Sequence, residues 1–165
     1  MVADELAEFF EAIGAAIWYC QYLEDILVQF LSGKIIHERR CRVETVDYDE
    51  GLAVIAEHRK VTLGPLIESC YSRKIIKHED IVRFRSFKEN RHWLVHRSLV
   101  ESGDDLYLES TRTVVFERIA SVQEEAVALK QLIVRDLDIW LKAHGVNLDD
   151  TSAQAKEDLR KLKGE

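Results

Sequence analysis

One short run, Arg91-His92-Trp93-Leu94-Val95-His96, holds the residues of this chain whose types and spacing could do chemistry. Histidine titrates near neutrality and can take or give a proton there. Arginine stays charged and offers a planar fork that matches a carboxylate or a phosphate. An imidazole with a guanidinium close by suits acid–base work on an anionic substrate, with the extra charge of a transition state held by the guanidinium.

At about 100° per residue, with Phe84 at the origin, Ile81, Phe87, Val95 and Leu99 lie within about 60° of it and Leu94 at the margin. Arg91 falls near −20° on this scale, inside the apolar stripe; His92 and His96 fall near 80° and 120° at its edge, and Trp93 points to the opposite side. A guanidinium on a core-facing stripe needs a partner, because it cannot shed its proton. Two answers stay open: a structural ion pair with an acid of another helix, or a cleft or subunit interface where an anion sits. Arg91 and His96 are about 140° apart on an ideal helix, so a shared site needs either local distortion or Arg91 of one chain near His96 of another.

The elements that position this run read as helices. Leu6, Phe9, Phe10, Ile13, Ile17, Leu23, Ile26, Leu27, Phe30 and Leu31 recur at three and four, predicting a first helix from about Val2 to Leu31 with Ser32-Gly33 as its stop. Lys34 to Tyr48 admits a short helix, a loop or an extended connection. Asp47 or Asp49 caps a helix to about Lys60, and Thr62 opens another with Pro65 in its first turn and Leu66, Ile67, Cys70 and Ile75 on its face. Glu79 or Asp80 starts the helix that carries the motif, which ends before Ser102-Gly103. Leu106 to Leu108 reads as a brief extended piece, and a last long helix runs from about Thr111 to His144, closed by Gly145. The expected architecture is an all-α antiparallel four- or five-helix bundle, one domain over residues 1–145 with a polar tail over 146–165. Long apolar first and last helices allow a homodimer.

Composition narrows the classes. The chain has 165 residues, 7 glycines and 1 proline, enough for a core and few interruptions of long helices. Three cysteines, Cys20, Cys41 and Cys70, form no disulfide framework and no CxxC pair. No apolar run spans a bilayer, and the acidic opening Met1-Val2-Ala3-Asp4-Glu5 is unlike a secretory signal, so the expected location is cytoplasmic, away from membranes. Net charge is −7, yet Arg73 to Arg97 carries eight basic residues against three acids, a local basic field on an acidic body or a row of paired surface charges. Phosphate loops, GxGxxG runs and nucleophile elbows are lacking. Cys20, Trp18 and Trp140 read as packing residues.

Asn90-Arg91-His92-Trp93-Leu94-Val95-His96-Arg97 resembles the Arg-x4-6-His motif of HEPN domains, with a polar residue after the arginine. The aromatic and small residues Trp18-Tyr19-Cys20-Gln21-Tyr22 on the first helix, the segment Thr62-Leu63-Gly64-Pro65-Leu66-Ile67 before the motif and the long helix after it extend the likeness over about Phe10 to His144. The resemblance implies a dimer whose two motifs face each other. It further implies a metal-independent endoribonuclease, of the kind found in toxin–antitoxin pairs and phage defence, or a relative that keeps only nucleotide or RNA binding or dimerisation. On that reading Arg91 and His96 are catalytic, with His92 and Asn90 auxiliary. Arg85, Lys88 and Arg97 guide the RNA backbone, no cofactor is needed, and a neutralising protein partner can accompany the chain. One family branch has a tyrosine two residues after the histidine, where this chain has Ser98. A rival reading takes Glu89, His92 and His96, at i, i+3 and i+7, as metal ligands in the manner of DinB-like bundles, with His58 or His37 completing the set.

Overall fold

The computed structural model describes residues 2–42, 45–146 and 160. Within them every element is helical: α1 (Val2–Cys41), α2 (Tyr48–His58), α3 (Leu63–Ser72), α4 (Ile81–His96), α5 (Ser98–Ser102), a 3₁₀ turn (Asp104–Tyr107) and α6 (Glu109–Ala143). The expected all-α bundle is the fold, and α1 is its hub, packing on α2, α3, α4 and the 3₁₀ turn.

Helix α1 does not stop at Ser32-Gly33 but continues to Cys41. Tertiary contacts override the glycine, which alone costs a helix interior about 1 kcal/mol. Ser32 is buried, Ile36 reaches Gly51 of α2, and Lys34 donates to the Arg73 carbonyl at the end of α3 at 3.1 Å. Arg39 and Arg40 then occupy the last turn, where the helix dipole favours cations.

Asp47 caps α2 through a reciprocal capping box: its carboxylate accepts from the Glu50 N–H at 2.8 Å, and the Glu50 carboxylate accepts from the Asp47 N–H at 3.1 Å. Thr62 stands at the start of α3 in extended backbone, but its hydroxyl makes no capping bond. Pro65 sits in the first turn, where an amide hydrogen has no helical acceptor. That helix ends at Ser72, short of Ile75, because Lys74 turns left-handed (φ 56°) and the Ile75 N–H closes back on the Cys70 carbonyl at 2.9 Å. Ile75 and Ile76 drop into the core behind it.

The expected single helix from Glu79 to Ser102 is broken. Asp80 precedes α4 without a capping bond, and Arg97 leaves helical geometry (φ −126°) between α4 and α5. The buried Ser98 hydroxyl donates to the Leu94 carbonyl at 2.7 Å, meeting an acceptor that the break would otherwise leave open. Gly103 ends α5 so close to the Leu99 carbonyl oxygen that an added Cβ would sit 2.7 Å from it. Leu106 is buried in a 3₁₀ turn rather than an extended piece, and Thr111 donates to the Asp105 carbonyl across the entry to α6.

The chain divides into two compact units, residues 1–133 and 134–165. The core of the first is formed by Phe9, Leu23, Leu27 and Leu31 of α1, Leu66 and Ile67 of α3, Phe84, Phe87 and Leu94 of α4, and Ile119 of α6. In the second, α6 runs on to Ala143, Lys142 pairs with Asp138, and Gly145 takes a positive φ of 78°. Most of the expected tail over 146–165 lies outside the described residues. No described helix is long and apolar enough to cross a membrane.

Phe84 is fully buried between elements, whereas the Asp47 cap is a surface device. Urea titration is expected to show Phe84→Ala losing about 3–5 kcal/mol, and Asp47→Ala about 1 kcal/mol.

Candidate functional site

The motif occupies the C-terminal half of α4, which stays helical through His96. Its core-facing side carries Ile81, Phe84, Phe87, Leu94 and, past the break, Ser98, all buried, while Val95 is 37% exposed. Arg91, which falls between Phe84 and Phe87 on the wheel, is 29% exposed, and His92 and His96 are exposed. Trp93, opposite the Phe84 stripe on the wheel, is buried there against another helix. Arg118 of α6 stacks over its ring at 3.6 Å, and its indole N–H has no partner among the described residues.

Arg91 donates from Nε to Oε1 of Glu24 on α1 at 3.0 Å, with the two side chains 29% and 26% exposed. The structural ion pair left open by the sequence is therefore formed, and Glu24 is the functional neighbour that sequence reasoning missed. The signal was present: Glu24 follows Cys20 by four and Leu23 by one on the buried side of α1, an acid where apolar residues are the rule. The same pair surrounds Cys20. Burial pushes its thiol up to about 11, Glu24 adds to the rise, and Arg91 opposes it. Burial likewise pushes Cys70 up to about 12, against the opposing charge of Lys34.

His92 and His96 stack one turn apart on the solvent face, ring centroids 4.8 Å apart. Asn90 does not join them; it lines a separate groove between α4 and α6 with Arg83, Ser86, Ser121 and Glu124. The helix is undistorted between Arg91 and His96, so within one chain the two side chains leave α4 in divergent directions.

The local basic field is met by carboxylates from all around it. Arg85 makes a two-pronged bond to Glu68 of α3, 2.9 Å on both arms, and Arg83 another to Glu125 of α6, 3.1 Å on both arms. Lys88 pairs with Glu89, Arg97 with Glu101 and Arg73 with Glu38. Hydrogen bonds from Arg85 and Lys88 hold the Glu68 and Glu89 carboxyls below the usual carboxylate range. The three residues expected to guide RNA, Arg85, Lys88 and Arg97, are thus each engaged with an acid. Such exposed pairs are worth ~0–1 kcal/mol and exchange readily.

No three His, Cys, Asp or Glu side chains among the described residues converge on a point that could hold a metal ion. Glu89 is turned to Lys88 at 2.8 Å, and the two suggested further ligands stay on their own helices: His58 bonds the Val54 carbonyl at 2.7 Å, and His37 contacts Cys41 at 3.4 Å. The rival metal set is not assembled.

Compared with known proteins, the chain matches no family model, no curated sequence and no solved structure.

Two outcomes follow from this geometry. Alkylation read by mass spectrometry should modify the exposed Cys41 first, with Cys20 and Cys70 reacting only once the chain is unfolded. Glu24→Leu should cost about 1–3 kcal/mol by leaving the Arg91 guanidinium half-buried without its acid. The double change Glu24→Leu with Arg91→Leu should recover most of that loss in a denaturant cycle.

Proposed function

We propose that the chain is a HEPN-type, metal-independent endoribonuclease that acts as a homodimer in the cytoplasm, with Arg91 and His96 as its catalytic residues. The observation that carries the reading is the pairing of a positioned cation with an exposed imidazole: Arg91 fixed at Nε by Glu24, and His96 on the solvent face one and a half turns later. Anchoring through Nε leaves the terminal amino groups as the ones to meet a phosphate.

The chemistry needs no metal. The 2′-hydroxyl of the substrate attacks its own 3′-phosphorus, breaking the bond to the 5′-oxygen of the next nucleotide. The products are a 2′,3′-cyclic phosphate and a free 5′-hydroxyl. His96 takes the 2′ proton or delivers one to the leaving oxygen. Arg91 holds the charge that builds on the phosphoryl oxygens. Because the two side chains diverge on one helix, His96 of one subunit works with Arg91 of the other. His92, stacked on His96, orients its ring. The exchangeable pairs of Arg85, Lys88 and Arg97 open to RNA phosphates, and a neutralising protein partner would act by covering this face.

A second reading, a non-catalytic dimerisation or RNA-binding module, draws on the same Arg91–Glu24 bond and on the carboxylates that occupy the basic row. Purified protein with labelled RNA in excess EDTA separates the two. The nuclease reading expects cleavage to cyclic-phosphate ends, reduced roughly 100-fold or more in Arg91→Ala and in His96→Ala with folding intact. Intact RNA with wild type supports the module, and cleavage lost only on adding EDTA overturns the metal-independent reading.

A further inference from the structure

Trp18 reads from the sequence as a packing residue, yet the structure leaves it 59% exposed, the most exposed aromatic side chain of α1. Tyr22, one turn on and half exposed, braces it: the two rings stand 5.5 Å apart at 85° and make a corner rather than a flat patch. The corner opens onto a cavity of about 260 Å³ lined by Trp18, Gln21, Tyr22 and Asp25. Gln21 and Asp25 also line a second cavity, of about 320 Å³, together with Glu24, Arg59 and Val61. The two hollows meet at those side chains, so a shallow groove runs from the aromatic corner to the bond between Glu24 and Arg91.

Charge along the groove is cationic on balance. Its two acids are both answered, Glu24 by Arg91 at 3.0 Å and Asp25 by Arg59 at 2.9 Å. Each of these bonds uses a single guanidinium nitrogen, so both arginines keep further donors to give. Lys130 of α6 is a third cation. It stands 5.6 Å from the centre of the Tyr22 ring, near the outer limit of a cation–π contact, and has no acid partner among the described residues. With a face of Tyr22 taken by Lys130, Trp18 is the ring left to receive a ligand. Cations flanking an aromatic corner are complementary to a flat group carried on an anionic chain, as a nucleobase is on its phosphodiester backbone. A duplex hides the faces of its bases inside the stack, so the base that fits is an unpaired one.

We propose that Trp18 and Tyr22 form a stacking platform for one unpaired base of single-stranded RNA, with Arg59 and Lys130 meeting phosphates on opposite flanks of it. Arg59 lies beyond Asp25 and Lys130 beyond Tyr22, to either side of Trp18 on the α1 wheel. RNA as the strand rests on the nuclease reading above; the platform itself rests on the groove. Glu24 lies six residues from Trp18, about 9 Å along α1 and about 120° around it. A base held at Trp18 therefore belongs to a nucleotide flanking the phosphate at Arg91. It sets the register of the strand, so Trp18 selects which phosphodiester is cut, and selects unpaired RNA over duplex.

The test uses the full chain carrying His96→Ala, so that RNA stays whole, in excess EDTA. Fluorescence anisotropy reads the binding of labelled oligouridine, alone and annealed to oligoadenosine. The single strand should bind more tightly than the duplex. Adding Trp18→Leu should weaken single-strand binding roughly 10-fold or more, while Trp18→Phe, which keeps a ring face, should retain most of it. Trp18 is exposed, so Trp18→Leu should leave the melting temperature where it was. Lys130→Ala should lower the slope of log affinity against log salt by about 0.7. Oligouridine should also quench indole fluorescence, and the quench should vanish with Trp18→Leu. Equal single-strand affinity with and without Trp18, a preference for duplex, or no binding of either RNA overturns the inference. The two readings fail separately. Binding that depends on Trp18, beside RNA left intact by wild type, would remove the nuclease and leave the platform. Cleavage at the same rate and positions by wild type and by Trp18→Leu would remove the platform and leave the nuclease.

Discussion

The bond between Arg91 and Glu24 is the constraint around which the first unit is arranged. It ties the hub helix α1 to the motif helix α4 at the edge of the core, where neither group is fully hydrated. A guanidinium in that position has no neutral form to retreat to, so the acid must be there whenever α4 is docked. The pair sets the rotation of α4 about its own axis. With Arg91 held to α1, Phe84, Phe87 and Leu94 turn inward and His92 and His96 turn outward. Exposed histidines and a clamped arginine are thus two results of one contact.

The helices were legible because their apolar residues repeat with a helical period over long stretches. The start of α2 was legible to within two residues, Asp47 or Asp49, and the Glu50 carboxylate three residues on makes Asp47 the cap. What escaped were places where a distant contact overruled a local signal. Ser32-Gly33 has the composition of a stop, yet Ile36 and Lys34 find partners on α2 and α3, and the helix goes on. Arg97 carries no helix-breaking side chain, and the break there depends on a buried serine hydroxyl reaching Leu94. Leu106 to Leu108 looked extended because three residues are too few to show a period.

The candidate site was legible as a set of residues and less so as a geometry. Wheel positions drawn from Phe84 alone set Val95 near the centre of the buried side, where it is in fact 37% exposed. The true centre depends on α1, α3 and α6 together, which a single-helix projection cannot contain. Charge showed the same limit. A count along residues 73–97 finds a basic segment, but the carboxylates that answer most of it come from α1, α3 and α6, and only the fold brings them near.

The separation of Arg91 from Glu24, 67 residues along the chain, also has a temporal side. Synthesis proceeds from the N-terminus at about 5–20 residues per second, so Glu24 is made roughly 3–13 s before the arginine that it anchors. Through that interval the charge-poor stretch of α1 from Phe10 to Tyr22 and the still-unsheltered buried side of that helix are both open to the surroundings of the ribosome. A nascent chain in that state is a client for holding chaperones.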